Sequence, residues 1–257
     1  MPERTPIIYF IGNAGCGKSA LTSAFKNWMQ LNGFDAVTIN LDPGAEWLPY
    51  APDIDVREWI NTSEIMHDYG VGPNGAQIIA ADLLALKIKN VIEAMKDYVT
   101  DYFIVDTPGQ MELFTLREAS NIVIKALGEE NSMLFYLFDP NLAKTPQGYV
   151  ALLMQSLSAQ FRLELPTVHV LTKVDLITLD ERERILEWSE DANELYEALI
   201  EKSSLYTNLN IEFFRALEII DAFKPLIPTS AETGEGMADI YAKAQDVFFG
   251  GEDLSED

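Results

Sequence analysis

Cysteine is nearly absent from this chain of 257 residues: Cys16 stands alone. One cysteine cannot close a disulfide within the chain, so no bridge framework supports the fold. The histidines are only two, His67 and His169. His169 lies in the apolar run Thr167-Val168-His169-Val170-Leu171, which suits a hydrogen-bonded core histidine better than a metal ligand, and neither histidine is assigned a role. Basic residues are also scarce, with 18 Lys and Arg against 41 Asp and Glu and a net charge of -23. A duplex backbone has to be neutralised by clustered cations, so this balance argues against a nucleic-acid surface and disfavours anionic membranes. No apolar stretch approaches the roughly 20 residues that span a bilayer. The start Met1-Pro2-Glu3-Arg4 lacks the basic region and apolar core of a signal peptide. A soluble, cytoplasmic protein is expected, with no nucleic-acid or membrane partner.

With 48% hydrophobic residues, the chain can bury one large core, and a single domain over 1–249 with an acidic tail at 250–257 is expected. Short β-rich apolar runs alternate with longer segments of helical period. Strands are predicted at Ile7–Ile11, Ala36–Asn40, Tyr102–Val105, Met133–Phe138, Thr167–Leu171 and near Ile227–Thr229. Because these runs lack polar alternation, they fit a sheet covered on both faces. The expected class is α/β, with a mostly parallel central sheet between helical layers. Ligands bind such sheets beyond the carboxyl ends of the strands.

The chemistry-bearing motifs follow strands. Directly after the first run comes Gly12-Asn13-Ala14-Gly15-Cys16-Gly17-Lys18-Ser19, which fits G-x-x-x-x-G-K-[ST] at every fixed position. Its glycines let backbone N–H groups curl around a di- or triphosphate, Lys18 carries charge to the outer phosphates, and Ser19 offers a hydroxyl to Mg²⁺. The helix that starts there adds its positive end, so residues 12 to 20, through Ala20, form the expected phosphate site. Cys16 within it could be held as a thiolate by Lys18 and the helix end; a small side chain tolerated in a loop that binds through its backbone is the stronger reading.

The second motif is Asp106-Thr107-Pro108-Gly109-Gln110, after Tyr102-Phe103-Ile104-Val105. An aspartate at that strand end can hold Mg²⁺ through water, and Gly109 offers an N–H near a γ-phosphate. The third is Thr172-Lys173-Val174-Asp175. Asp175 can accept from N1–H and the exocyclic amine of guanine, two donors that adenine does not present, while the Lys173 stem covers the base. Ser230-Ala231-Glu232, after the last short strand, can close the base pocket with backbone N–H groups.

Together with Gly72-Pro73-Asn74 between the second and third predicted strands, these motifs resemble the GPN-loop GTPases, a P-loop family, and the chain looks like an archaeal-type homodimeric member. The resemblance spans essentially the whole chain. It implies GTP binding and Mg²⁺-dependent hydrolysis to GDP. It also implies a homodimer in which Gly72, Pro73 and Asn74 of one subunit reach the phosphate side of the other, and a client protein in macromolecular assembly. Asp42, in Asp42-Pro43-Gly44, would help to bind Mg²⁺ or the attacking water, and Gln110 would orient that water. Glycine at 44 departs from the alanine frequent in the family, and Glu232 from the lysine of many wider relatives. An arginine finger is not evident: Arg57 and Arg117 fit ion pairs better.

Between Leu179 and Phe223 an acidic helical insertion precedes the last strand and is expected to pack over the base side, with its acidic residues on a solvated face. The alternative to a hydrolysing switch is a nucleotide-locked, protein-binding scaffold that turns over too slowly to matter.

Overall fold

The computed structural model describes residues 5–201 and 207–250. From the amino end, β1 (Ile7–Gly12) runs into a glycine loop and α1 (Lys18–Leu31), followed by β2 (Ala36–Asn40). A long excursion carries the two-residue strand β3 (Ile54–Asp55), α2 (Thr62–Tyr69) and α3 (Pro73–Met95) before β4 (Tyr102–Asp106). Next come α4 (Met111–Thr115), α5 (Glu118–Leu127), β5 (Ser132–Phe138), α6 (Pro140–Ala143), α7 (Pro146–Leu163) and β6 (Thr167–Leu171). The chain continues through α8 (Leu179–Glu190), α9 (Ala192–Glu201) and α10 (Thr207–Ile219) to β7 (Ile227–Pro228) and α11 (Met237–Phe249). The acidic tail expected beyond Gly250 lies outside the described residues.

The strands form one seven-stranded sheet in the order β3-β2-β4-β1-β5-β6-β7. Every pair is parallel, where the sequence led us to expect a mostly parallel sheet. β1, β2, β4 and β5 are buried along their whole length, which is why they read as unbroken apolar runs. The side chains nevertheless alternate between two cores. Tyr9, Ile11, Val37, Ile39, Phe103, Val105 and Tyr136 pack on one face under α3, α5 and α7. Ile8, Phe10, Tyr102, Ile104, Phe135 and Leu137 pack on the other under α1 and α11. Period 2 is thus present in the packing, although both faces select apolar residues.

β3 was not predicted. Two residues between Asp53 and Val56 are too short to show a period, and pairing comes from side chains beside them. Asp53 Oδ2 accepts the Thr38 N–H at 2.7 Å and the Lys26 ammonium at 2.5 Å, which pins the segment against β2 so that Ile54 pairs with Ile39.

Gly72-Pro73-Asn74, whose composition suggests turn chemistry, is the start of a helix: Gly72 caps the 23-residue α3 and Pro73 is its first residue. The fixed φ of proline and its missing donor cost nothing at that position.

The insertion forms three helices in the described residues. The Thr178 and Glu181 capping box starts α8. Ile185, Trp188, Leu195 and Leu199 are buried, whereas Glu183, Glu187, Glu190, Glu194 and Glu197 are exposed. Trp188 packs edge-on against Tyr149 of α7, with ring centres 6.0 Å apart, and Phe214 meets Tyr196 at 5.4 Å. The helices therefore pack on α7, where their apolar stripe meets Tyr149. Arg182 reaches back to Glu235, beyond β7, at 2.5 Å.

His169 is the core histidine that its apolar run suggests. It is buried, bonds Ser156 Oγ through Nε2 at 2.7 Å, and burial pushes its pKa down from 6.5 to about 4. The unfolded chain takes up this proton first as pH falls, so the folded state is favoured fully above pH 6.5 and loses that share as pH drops through about 4. Denaturant titrations of wild type and His169→Asn across this range should show a pH slope that the variant lacks.

Candidate active site

The loops after β1, β2, β4, β6 and β7 meet at the carboxyl edge of the sheet, each extending a strand. β1 ends at Gly12, where a Cβ would stand 3.0 Å from the Leu137 carbonyl oxygen and 2.9 Å from Cys16 Sγ; only glycine lets the loop leave the strand there. At the other end Gly17 caps α1 with φ 102°, a conformation costly for any side chain. Ala14 and Gly15 are exposed at the crest, Asn13 and Ser19 half-buried, and Ala20 exposed on the first turn of α1. Asn13 donates to Gln155 of α7 at 2.9 Å. Cys16 is 1% exposed, and burial pushes its thiol up against the opposing pull of Lys18 and Lys173. The thiolate reading is therefore set aside.

Lys18 is buried, and its ammonium donates to three carbonyls: Gly12 at 2.9 Å, Asn13 at 3.0 Å and Gly109 at 3.1 Å. It therefore joins the phosphate loop to the loop after β4. There Thr107 Oγ1 anchors the turn on the Phe10 carbonyl at 2.7 Å, and the Gly109 N–H donates to Asp42 Oδ2 at 2.8 Å. The other Asp42 oxygen accepts the Gly44 N–H at 2.9 Å. A Cβ at Gly44 would lie 3.3 Å from both Asp42 Oδ1 and Gln77 Nε2, so the glycine keeps this corner uncrowded. Gln110 follows as the half-buried cap of α4.

Asp106 closes β4 at 1% exposure. Burial pushes its pKa up to about 6, against the lowering influence of the Ser19 and Tyr50 hydroxyls and Lys18, while Asp42 adds to the rise. Tyr50 donates to Oδ2 at 3.1 Å; Oδ1 is buried without a hydrogen-bond partner. An orphaned carboxylate oxygen beside a serine hydroxyl is a hard-oxygen donor set of the kind Mg²⁺ takes, with phosphate and water completing its shell. Among the described residues there is no group of three or more His, Cys, Asp or Glu that could hold a metal ion.

On the base side, Gly17, Ala20, Thr172, Lys173, Asp175 and Ala231 line a cavity of about 170 Å³ together with the exposed Glu232. The buried Thr172 serves the frame, its hydroxyl donating to the Cys16 carbonyl at 2.8 Å. Lys173 bonds Asp139 Oδ2 at 2.7 Å and reaches the Gly15 carbonyl. Ser230 is buried and turned inward: its N–H donates to the Glu235 carbonyl at 3.1 Å and its hydroxyl accepts from Thr233 at 3.1 Å. Ala231 is thus the member of that pair that faces the cavity.

Gly72, Pro73 and Asn74 are exposed, and α3 meets the Asp42 segment only one turn later, at Gln77. Neither arginine is free: Arg57 pairs with Asp55 at 2.6 Å and donates to the Ala45 carbonyl at 2.9 Å, and Arg117 pairs with Asp82 at 2.5 Å. Sequence reasoning missed Tyr50, Asn40 and Asp139. Asn40 clasps the Asp42 backbone, accepting its N–H at 2.9 Å and donating to its carbonyl at 3.2 Å. Asp139 carried a usable signal, since it directly follows β5 much as Asp106 closes β4.

This sheet and these loops define a P-loop nucleotide-binding protein. A family model described as "Conserved hypothetical ATP binding protein" matches residues 10–249. GPN-loop GTPase PAB0955 of Pyrococcus abyssi is 32% identical over 246 residues, 93% of this chain and 95% of that one. GPN-loop GTPase 1 of Dictyostelium discoideum is 29% identical over 92% of this chain, which spans 60% of its length. The crystal structure of PAB0955 in apo form aligns with a TM-score of 0.81 over 94% of this chain and 97% of that one. The chain belongs to the GPN-loop GTPase family.

The orphaned charge of Asp106 has a measurable cost. With its folded pKa near 6, ionisation above that pH opposes folding of the metal-free protein, and the penalty disappears as both states become protonated near pH 4. Asp106→Asn should therefore melt higher than wild type at pH 8 without metal, by about 1–3 kcal/mol, with the gap closing toward pH 4 in thermal scans.

Proposed function

We propose that this protein binds GTP with Mg²⁺ and hydrolyses it to GDP and phosphate, acting as a homodimeric cytoplasmic switch on a client protein during assembly of a complex. The observation that carries the base choice is Asp175 and Lys173 lining one cavity with Gly17 of the phosphate loop. A carboxylate there accepts two hydrogen bonds from guanine and would lie unpaired against adenine, which weighs for GTP over the ATP in the family description. The relatives' name as GTPases supports the same choice.

In this reading residues 12 to 20 cradle the phosphates through backbone N–H groups, and Lys18 gives up its carbonyl contacts for phosphate oxygens. Ser19 and Asp106, with Asp42 nearby, would hold Mg²⁺, whose charge would offset that developing on the phosphates. The Gly109 N–H now serves Asp42; a γ-phosphate oxygen competes for that donor. GTP and GDP are thereby distinguished at one peptide group, and displacement of Asp42 frees its carboxylate. Gln110 and the freed Asp42 orient water for attack on the γ-phosphorus as its bond to the bridging oxygen breaks. Gly72, Pro73 and Asn74 project outward, which suits completion of a second subunit's phosphate site.

Asp175→Asn should weaken GTP binding roughly 10²-fold while leaving the melting temperature near wild type; calorimetry showing unchanged guanine preference would sink the base assignment. For the loop, Asn74→Ala should lower single-turnover hydrolysis roughly 10- to 100-fold with little change in GTP affinity. Wild-type specific activity should rise with protein concentration as dimers form.

A further inference from the structure

Between Asp42 and β3 runs a segment clamped along its length. Arg57 holds it at the Ala45 carbonyl at 2.9 Å, and Asp53 is bound by Thr38 and Lys26 at the far end. Within it Leu48-Pro49-Tyr50 matches no motif, yet Tyr50 is half-buried and donates to Asp106 Oδ2 at 3.1 Å. The same carboxylate leaves Oδ1 buried and unpartnered. A carboxyl group pivots about its terminal bond, and a hydrogen bond on one oxygen fixes where the other points.

We infer that Tyr50 is a positioning residue for the metal-facing carboxylate: its phenol holds Asp106 by Oδ2 and so presents Oδ1 to the divalent cation that accompanies GTP. The inference rests on the proposed Mg²⁺-dependent GTP binding and adds a residue that no motif marks. Burial, together with the facing carboxylates of Asp106 and Asp55, pushes the phenol far up, so it remains a donor throughout the working pH range. Its clamped segment begins at Asp42, so the two loops that face the metal are joined by Tyr50 to Asp106 and by the Gly109 N–H to Asp42.

The test is Tyr50→Phe, which keeps the ring and removes only the hydroxyl. GTP affinity is measured by calorimetry in excess Mg²⁺ and in EDTA, for wild type, Tyr50→Phe, Asp106→Asn and the double variant. The expected result is unchanged affinity in EDTA and a loss of about 3- to 10-fold in the affinity gained from Mg²⁺. The Mg²⁺ concentration for half-maximal hydrolysis should rise by the same factor, and no further loss should appear when the change is made in Asp106→Asn. An unaltered Mg²⁺ gain in Tyr50→Phe overturns the inference, as does an equal loss with and without Mg²⁺, which marks plain structural support. If wild type itself gains nothing from Mg²⁺, the proposed function fails first, and this shows before any variant is compared.

Discussion

One buried ammonium holds the site together. Lys18 is the first residue of α1 and is nearly sealed from solvent, and its three bonds go to carbonyl oxygens of two different loops. An unpaired cation at that depth would be strongly disfavoured, so the loops after β1 and β4 have to approach until their carbonyls satisfy it. Parallel pairing of β1 with β4, in which Phe10 stands opposite Asp106, makes the approach possible. The geometry around Asp42, Asp106 and Gly109 follows from that closure.

The result is a centre in which the polar groups that the proposed function assigns to a ligand are partnered internally. Lys18 sits on carbonyls, Gly109 N–H on Asp42, and Tyr50 on Asp106, and among these groups Asp106 Oδ1 is left with nothing. A network satisfied in this way is stable without ligand and can exchange each internal partner for a phosphate oxygen or a cation at modest cost. The base side is framed in advance: Thr172 ties its strand end to the phosphate loop, and Lys173 spans Asp139 and Gly15. The proposed base and phosphate sites are therefore tied together by these bonds.

The insertion shows how packing redirects an element that is well described by its own pattern. Its acidic face and apolar stripe are plain from the spacing of Ile185, Trp188, Leu195 and Leu199, but the stripe does not name its receptor. Trp188 of the stripe finds that receptor in Tyr149 of α7. Gly72-Pro73-Asn74 teaches a similar lesson, because the proline that suggests a turn also starts α3.

What the sequence alone determined is what depends on neighbours along the chain: the buried strands, the phosphate loop, the motif aspartates Asp106 and Asp175, the amphipathic character of the insertion and the core setting of His169. Each follows from local composition and short spacing. Tertiary structure alone decided the pairing of β3, the receptor of the insertion, the inward turn of Ser230, the parts played by Tyr50 and Asn40, and the partner that Asp139 takes. These join residues through hydrogen bonds or apolar contact across the fold, such as Tyr50 to Asp106 and Asp139 to Lys173. Outside a motif, a hydroxyl or amide has no periodic signature, so the meaning of Tyr50 or Asn40 appears only when the sheet sets its partner within about 3 Å.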